Sequence, residues 1–207
     1  AQFDGPHAVV VDSSGNLFIS DSDRIRYVNF GLGSITIAGV VIAPQSIETV
    51  VGGNGRGYFG DGGPATAAGL NLNYYYEIAN GMAIDGRTLY FADSLNNRIR
   101  AVDLDTGTIE TAVGSGAGGS EAVGRPGGIA IEDGWLYWAQ NDGNLVKRLD
   151  LESAEIQVIA GDGNTGYFGE GVAAADSQLI DPLGLVVTGS GTVYVTDLSH
   201  RVRRIIP

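Results

Sequence analysis

Cysteine is absent from the 207 residues, which excludes a disulfide framework, a zinc–thiolate site and a cysteine nucleophile. Histidine is scarce. His7 and His200 are the two present, thin material for a catalytic zinc, which typically takes three protein ligands. Basic side chains are outnumbered, 12 Lys and Arg against 24 Asp and Glu, for a formal net charge of −12. A surface so charged repels phosphate backbones, so nucleic acid is not an expected partner. No apolar run approaches the roughly 20 residues of a membrane helix, so no membrane span is expected. Proline is sparse, 6 residues beside 33 glycines, and no G-X-Y period accompanies them, which excludes collagen. Nor are there recognisable reaction motifs: no G-x-x-x-x-G-K-S/T to cradle phosphate, no G-x-S-x-G and no H-E-x-x-H.

What is present is repetition. Glycine in excess together with frequent Val, Ile and Tyr reads as many short strands joined by tight turns. Four segments share one order: an apolar strand, a turn, a second strand ending in a polar residue, then a basic strand. The first has Ala8-Val9-Val10-Val11-Asp12, Asn16 to Asp21 and Arg24-Ile25-Arg26-Tyr27-Val28. The second has Gly81 to Asp85, Leu89 to Asp93 and Arg98 to Asp103. The third has Gly128 to Ile131, Leu136 to Gln140 and Leu145 to Asp150, and the fourth Gly184 to Val187, Val193 to Asp197 and Arg201 to Ile205. An outer strand ending at a glycine follows most of them: Ile35 to Ala38, Ile109 to Val113 and Ile156 to Ala160. Four short antiparallel strands make one propeller blade. The apolar first strand suits burial on both faces near the axis.

These units resemble the NHL repeat family, with its "G-x-A-V-D", "Y-x-A-D" and "N-R-I-R" strands and the connector running from Gly57 to Asn71. The resemblance implies an all-β propeller of about four recognisable blades in one domain, 1–207. The blades fall near 5–39, 81–114, 127–161 and 183–206, with an irregular insert over 40–80. The anchors Asp21, Asp93, Gln140 and Asp197 are unevenly spaced. Ile47 to Val51 is therefore an extra strand or the remnant of a degenerate blade. The last blade shows no outer strand, so the ring is either partial or completed by another strand. Ala1 to Asp4 or a second chain could supply it, the latter by self-association.

Three Asp–Arg pairs, Asp21 with Arg24, Asp93 with Arg98 and Asp197 with Arg201, read as ion pairs within a blade. In the third unit both charges are replaced, by Gln140 and Leu145, as a structural pair costly to half-remove would be. A connector hexapeptide occurs twice, as Gly57-Tyr58-Phe59-Gly60-Asp61-Gly62 and as Gly166-Tyr167-Phe168-Gly169-Glu170-Gly171. Its aromatics either fill gaps between blades or meet a ligand. The candidate contact residues are Tyr58, Phe59, Asp61, Tyr167 and Phe168, with the cluster Tyr74, Tyr75 and Tyr76. Asp103-Leu104-Asp105-Thr106-Gly107 begins like an EF-hand, but Gly114 stands where the loop needs Glu. Gly52 to Arg56 places Arg where a calcium-binding nonapeptide repeat needs Asp.

The reading is a non-catalytic binding or scaffold propeller, leaning away from an enzyme, that recognises a protein or glycan or builds an extracellular assembly through its connector face. No catalytic residue, metal ligand or cofactor is assigned. Ala1-Gln2 suits either a mature end left by signal cleavage or a chain trimmed at that point; the first gives an extracellular or periplasmic expectation. The alternative is a metal-dependent lactonase or lyase, with His7 and His200 near one face of a closed ring.

Overall fold

The computed structural model describes residues 2–72, 81–115 and 123–206. The chain forms four blades. The first sheet orders β1 (Pro6–Val11), β2 (Leu17–Asp21), β3 (Arg24–Asn29) and β6 (Ser46–Gly52), with a small hairpin of β4 (Ile35–Ile37) and β5 (Val40–Ile42) between. The second runs from β7 (Met82–Asp85) through β8 (Thr88–Asp93) and β9 (Arg98–Asp103) to β10 (Ile109–Val113). The third holds β11 (Pro126–Glu132), β12 (Trp135–Gln140), β13 (Leu145–Asp150) and β14 (Ile156–Ala160). The fourth has three strands, β15 (Leu185–Val187), β16 (Val193–Asp197) and β17 (Arg201–Ile205). No helix among the described residues is long and apolar enough to cross a membrane.

The first outer strand differs from the sequence reading. Ile35–Ile37 pairs with Val40–Ile42, because Ala38 and Gly39 both take positive φ, 50° and 77°, the geometry of a tight I′ hairpin turn. That turn reverses the chain at once and takes β4 away from the sheet edge. Ser46–Gly52 completes the blade instead, with Val28 opposite Ile47 and Ile25 opposite Val51. The hairpin packs down on the core through buried Ile37 and Ile42. Asn29 ties it in by donating from Nδ2 to the carbonyls of Ile42 and Ala43.

Apolar side chains collect between successive blades. One cluster, with Phe18, Tyr27, Leu89 and Phe91, fills the space between the first and second. Another, around Ile99, Leu136 and Trp138, joins the second to the third. The last, with Tyr137, Val146, Val193 and Val195, joins the third to the fourth. The β12 strand shows why period-2 alternation is missing in the middle blades: neighbouring Tyr137 and Trp138 point into different clusters, and both are buried. The end blades lack this. Val9 and Val11 of β1 and Val186 of β15 are each more than half exposed (59, 57 and 56%). Inner strands touch in the order β1, β7, β11, β15, and β15 makes no comparable contact back to β1. Among the described residues, four blades with three filled interfaces form an open arc whose two end faces are uncovered.

The N-terminal segment does not serve the fourth blade. The Asp4 N–H donates to Asp21 Oδ1 at 2.5 Å, and the Gln2 carbonyl accepts from Arg24 and Arg26. Gln2 to Asp4 thus lies along the turns of its own blade, in the place a connector takes elsewhere.

Candidate functional site

The connectors and the β2–β3-type turns meet at one end of the arc. In the first connector, Tyr58 Oη donates to Asp61 Oδ2 at 2.6 Å and Thr111 Oγ1, from outer strand β10, donates to the same oxygen at 2.7 Å. Arg100 Nη2 reaches Asp61 Oδ1 at 2.5 Å. The Tyr58 ring lies 3.3 Å beneath the Arg98 guanidinium and 5.1 Å from that of Arg100. Phe59 lies flat on Gly69, where any side chain would run into its ring. Burial raises the Asp61 carboxyl, but hydrogen bonds from Tyr58 and Thr111 and the Arg100 charge outweigh it and hold it below the usual carboxylate range. Of the candidate contact residues, Tyr58 and Asp61 are therefore engaged in holding the connector to the second blade, and Phe59 packs within the connector itself.

The ion pairs are partly rearranged from the sequence reading. Arg24 does bind Asp21, at 2.8 Å. Asp93, however, pairs with fully buried Arg100 at 3.4 Å, while Arg98 donates to the carbonyls of Asn96 and Ser115. Residues 98 and 100 lie on one face of the strand, and the inner of the two reaches the buried carboxylate. Burial dominates at Asp93 and pushes its carboxyl up, against hydrogen bonds from Asn96 and the Asn71 N–H and the Arg100 charge. In the third blade the base at the Arg100 position survives as Lys147, whose ammonium burial pushes down. Charge is thus not jointly lost there, because the relevant partner sits two residues beyond Leu145. In the fourth, Asp197 accepts from the Ser199 N–H and Arg201 stacks on Tyr167 at 4.7 Å.

The second connector has nearly the same sequence and a different setting. Tyr167 and Phe168 are 65 and 63% exposed, against 42 and 47% for Tyr58 and Phe59. One substitution and one missing neighbour produce the difference. Gln178 stands where the first connector has Gly69, and its side chain covers Gly166, taking the seat that Phe59 occupies in the other copy. Among the described residues no outer strand stands beside β17, so none of them plays the part of Thr111. The Gly69-to-Gln178 change was visible in the sequence and is the signal that separates the two copies. Tyr74, Tyr75 and Tyr76 lie outside the described residues.

Among the described residues, no group of three or more His, Cys, Asp or Glu side chains is placed to hold a metal ion. His7 and His200 are both exposed, on the two end blades of the arc. This donor set does not fit a three-ligand metal centre.

The family model of the SMP-30/gluconolactonase/LRE-like region matches residues 72–165, a β-propeller family of the same superfamily as the NHL repeats. No curated protein matches the chain. Among solved structures, a Bacteroides thetaiotaomicron structural genomics protein of unknown function superposes with a TM-score of 0.66 at 16% identity, over 96% of this chain and 46% of that one. An auxiliary nutrient binding protein from Bacteroides ovatus gives 0.60 at 16% identity, over 100% of this chain and 60% of the other. A second protein of that description, from Bacteroides thetaiotaomicron, gives 0.52 at 15% identity, over 98 and 69%. This chain spans about half the length of the first two of these structures. At such identities the likeness establishes fold: the chain is an all-β protein with a four-blade propeller arrangement.

Proposed function

We propose that the chain is a non-catalytic recognition module that binds a protein or glycan through the connector face of its fourth blade. One observation carries this reading: Tyr167 and Phe168, adjacent and both mostly exposed, project from a connector whose near-copy is tied down. Aromatic rings supply large contact area with little side-chain entropy to lose, and adjacent Glu170 and Arg201 add polar anchors of both signs. Tyr58, Phe59 and Asp61 flank the same face and act there as support. A place of work outside the cytoplasm belongs to the same proposal, and cell fractionation tests it. Screening glycan and peptide arrays tests the recognition. A ligand found this way should lose about tenfold or more in affinity with Tyr167→Ala plus Phe168→Ala, on the scale of one aromatic anchor. The pair Tyr58→Phe and Phe59→Leu should leave it nearly unchanged. Equal affinity of the Tyr167/Phe168 variant and the parent would overturn the reading.

The family-model match over residues 72–165 favours a second reading, a metal-dependent lactonase. Lactone hydrolysis above background on adding divalent cations would establish it. The exposed, separated histidines argue against it.

A further inference from the structure

The first blade departs from the repeat at the end of the strands away from the connectors. Between third and outer strand the second and third blades have five residues each, 104–108 and 151–155, whereas the first has 16, 30–45. That excursion carries the β4–β5 hairpin, which reaches beyond its own blade. The Ala38 N–H donates to the Leu104 carbonyl at 2.8 Å. Gly107 permits the approach, since a Cβ there would strike the backbone of Ala38. The hairpin thus straddles the seam between the first and second blades.

Where it crosses, a cavity of about 370 Å³ lies between the hairpin and the two blades. Phe18, Ile35, Ile37, Ile84 and Leu104 wall it, all within the core cluster of these blades or packed against it. Two turns frame its rim, Asp12 to Ser14 from the first blade and Gly86 with Arg87 from the second. Apolar walls with a few polar groups at the rim are the usual make-up of a small-molecule site. The rim sets the head group. Asp12 Oδ1 accepts from the N–H groups of Ser14 and Asn16 at 2.8 and 2.9 Å, and Oδ2 from Tyr27 Oη at 2.6 Å and Asn16 Nδ2 at 3.4 Å. Burial raises the Asp12 carboxyl, but these hydrogen bonds outweigh it and hold it below the usual carboxylate range. Its lone pairs are thus taken up within the turn, and it brings charge to the rim but no free acceptor. Arg87 gives Nε and Nη2 to Asp105 Oδ1, at 2.9 and 2.8 Å. Its Nη1 has no partner among the described residues, and neither have the Ser13 and Ser14 hydroxyls. An anion at the rim meets the charge of Asp12, and a cation meets that of Arg87. A neutral head that accepts from Arg87 and bonds to the serine hydroxyls suits both.

We propose that this cavity binds a small neutral molecule with a short apolar body and a carbonyl head, of which an aliphatic amide is the simplest example. The body lies against Ile35, Ile37 and Ile84, while the carbonyl accepts from Arg87 Nη1 and the serine hydroxyls take the remaining polar group. The site lies at the opposite end of the strands from Tyr167 and Phe168, so it is separate from the connector face. The hairpin that the repeat does not need supplies one of its walls.

The test titrates hexanamide into isotope-labelled protein and follows backbone amide shifts by NMR. Saturable shifts at Ser14, Gly86 and Leu104 are expected, with a Kd of about 1 mM, the scale for so small a ligand. Hexanoate and hexylamine carry the same body with a charged head and should each bind about tenfold more weakly. Arg87 is exposed and its ion pair with Asp105 lies at the surface, so Arg87→Met leaves folding intact. It should weaken hexanamide about fivefold, as loss of one hydrogen bond does. Ile35→Phe narrows the cavity and should weaken all three probes alike. Absence of saturable shifts, shifts that fall elsewhere, equal binding of either charged probe, or an unchanged Kd in the Arg87→Met protein would overturn the proposal. None of these outcomes bears on Tyr167 and Phe168, so this site and the aromatic face can fail separately.

Discussion

Arg100→Met will lower stability by about 3 kcal/mol, the range for breaking a buried ion pair from one side. For a chain of this size that is a fall of about 10 °C in unfolding temperature. Arg100 is fully buried and is shared between Asp93, equally buried, and Asp61 at the connector. Removing it strands one carboxylate in the core and frees the other, so the blade and the connector loosen together. The matched change Arg98→Met should cost less, about 1 kcal/mol on the scale of single hydrogen bonds. Arg98 gives up two carbonyl contacts and the Tyr58 ring but strands no buried charge. Thermal unfolding of the two variants side by side decides the matter. A larger loss for Arg98 would show that the outer arginine, not the inner, carries the pair.

Trp138→Ala is expected to cost about 4 kcal/mol, as large-to-small changes of aromatic core residues do. Trp138 is among the largest fully buried side chains and sits in the interface between the second and third blades. Its Nε1 has no hydrogen-bond partner among the described residues, so Trp138→Phe removes an unsatisfied donor along with some volume and should cost far less. The contrasting variant is Val186→Ser. Val186 occupies an inner strand as Trp138's neighbours do, but on the uncovered end of the arc, and its loss should fall within about 0.5 kcal/mol of zero. Denaturant unfolding measures all three. A large cost at Val186 would mean that something covers that face.

The repeat was legible because each blade restates one strand order, and β7 to β14 fall where that order put them. Two errors have identifiable causes, one local and one not. Ile35-Thr36-Ile37-Ala38-Gly39 looks like an outer strand ending at glycine, and only the positive φ of Ala38 and Gly39 turns it into a hairpin. Arg98 and Arg100 are chemically equal candidates for Asp93 in sequence. Depth in the blade decides between them, and depth is set by neighbours far along the chain. The two connectors carried a legible difference in Gly69 against Gln178. Its consequence depended on knowing that Phe59 lies on Gly69, which is a tertiary contact. That Gln2 to Asp4 would bind Asp21, Arg24 and Arg26 had no pattern to announce it.

The account rests on a contrast between two near-copies: a connector clamped by Asp61 and an outer strand, and one left unclamped beside β17. Native-state hydrogen exchange compares them directly, since amides without buried partners open at lower free energy. Residues 166–179 and 201–206 should exchange markedly faster than their counterparts 57–71 and 98–103. Equal protection of the two sets would mean that the second connector is held as the first is, and the contrast on which the binding face depends would be wrong.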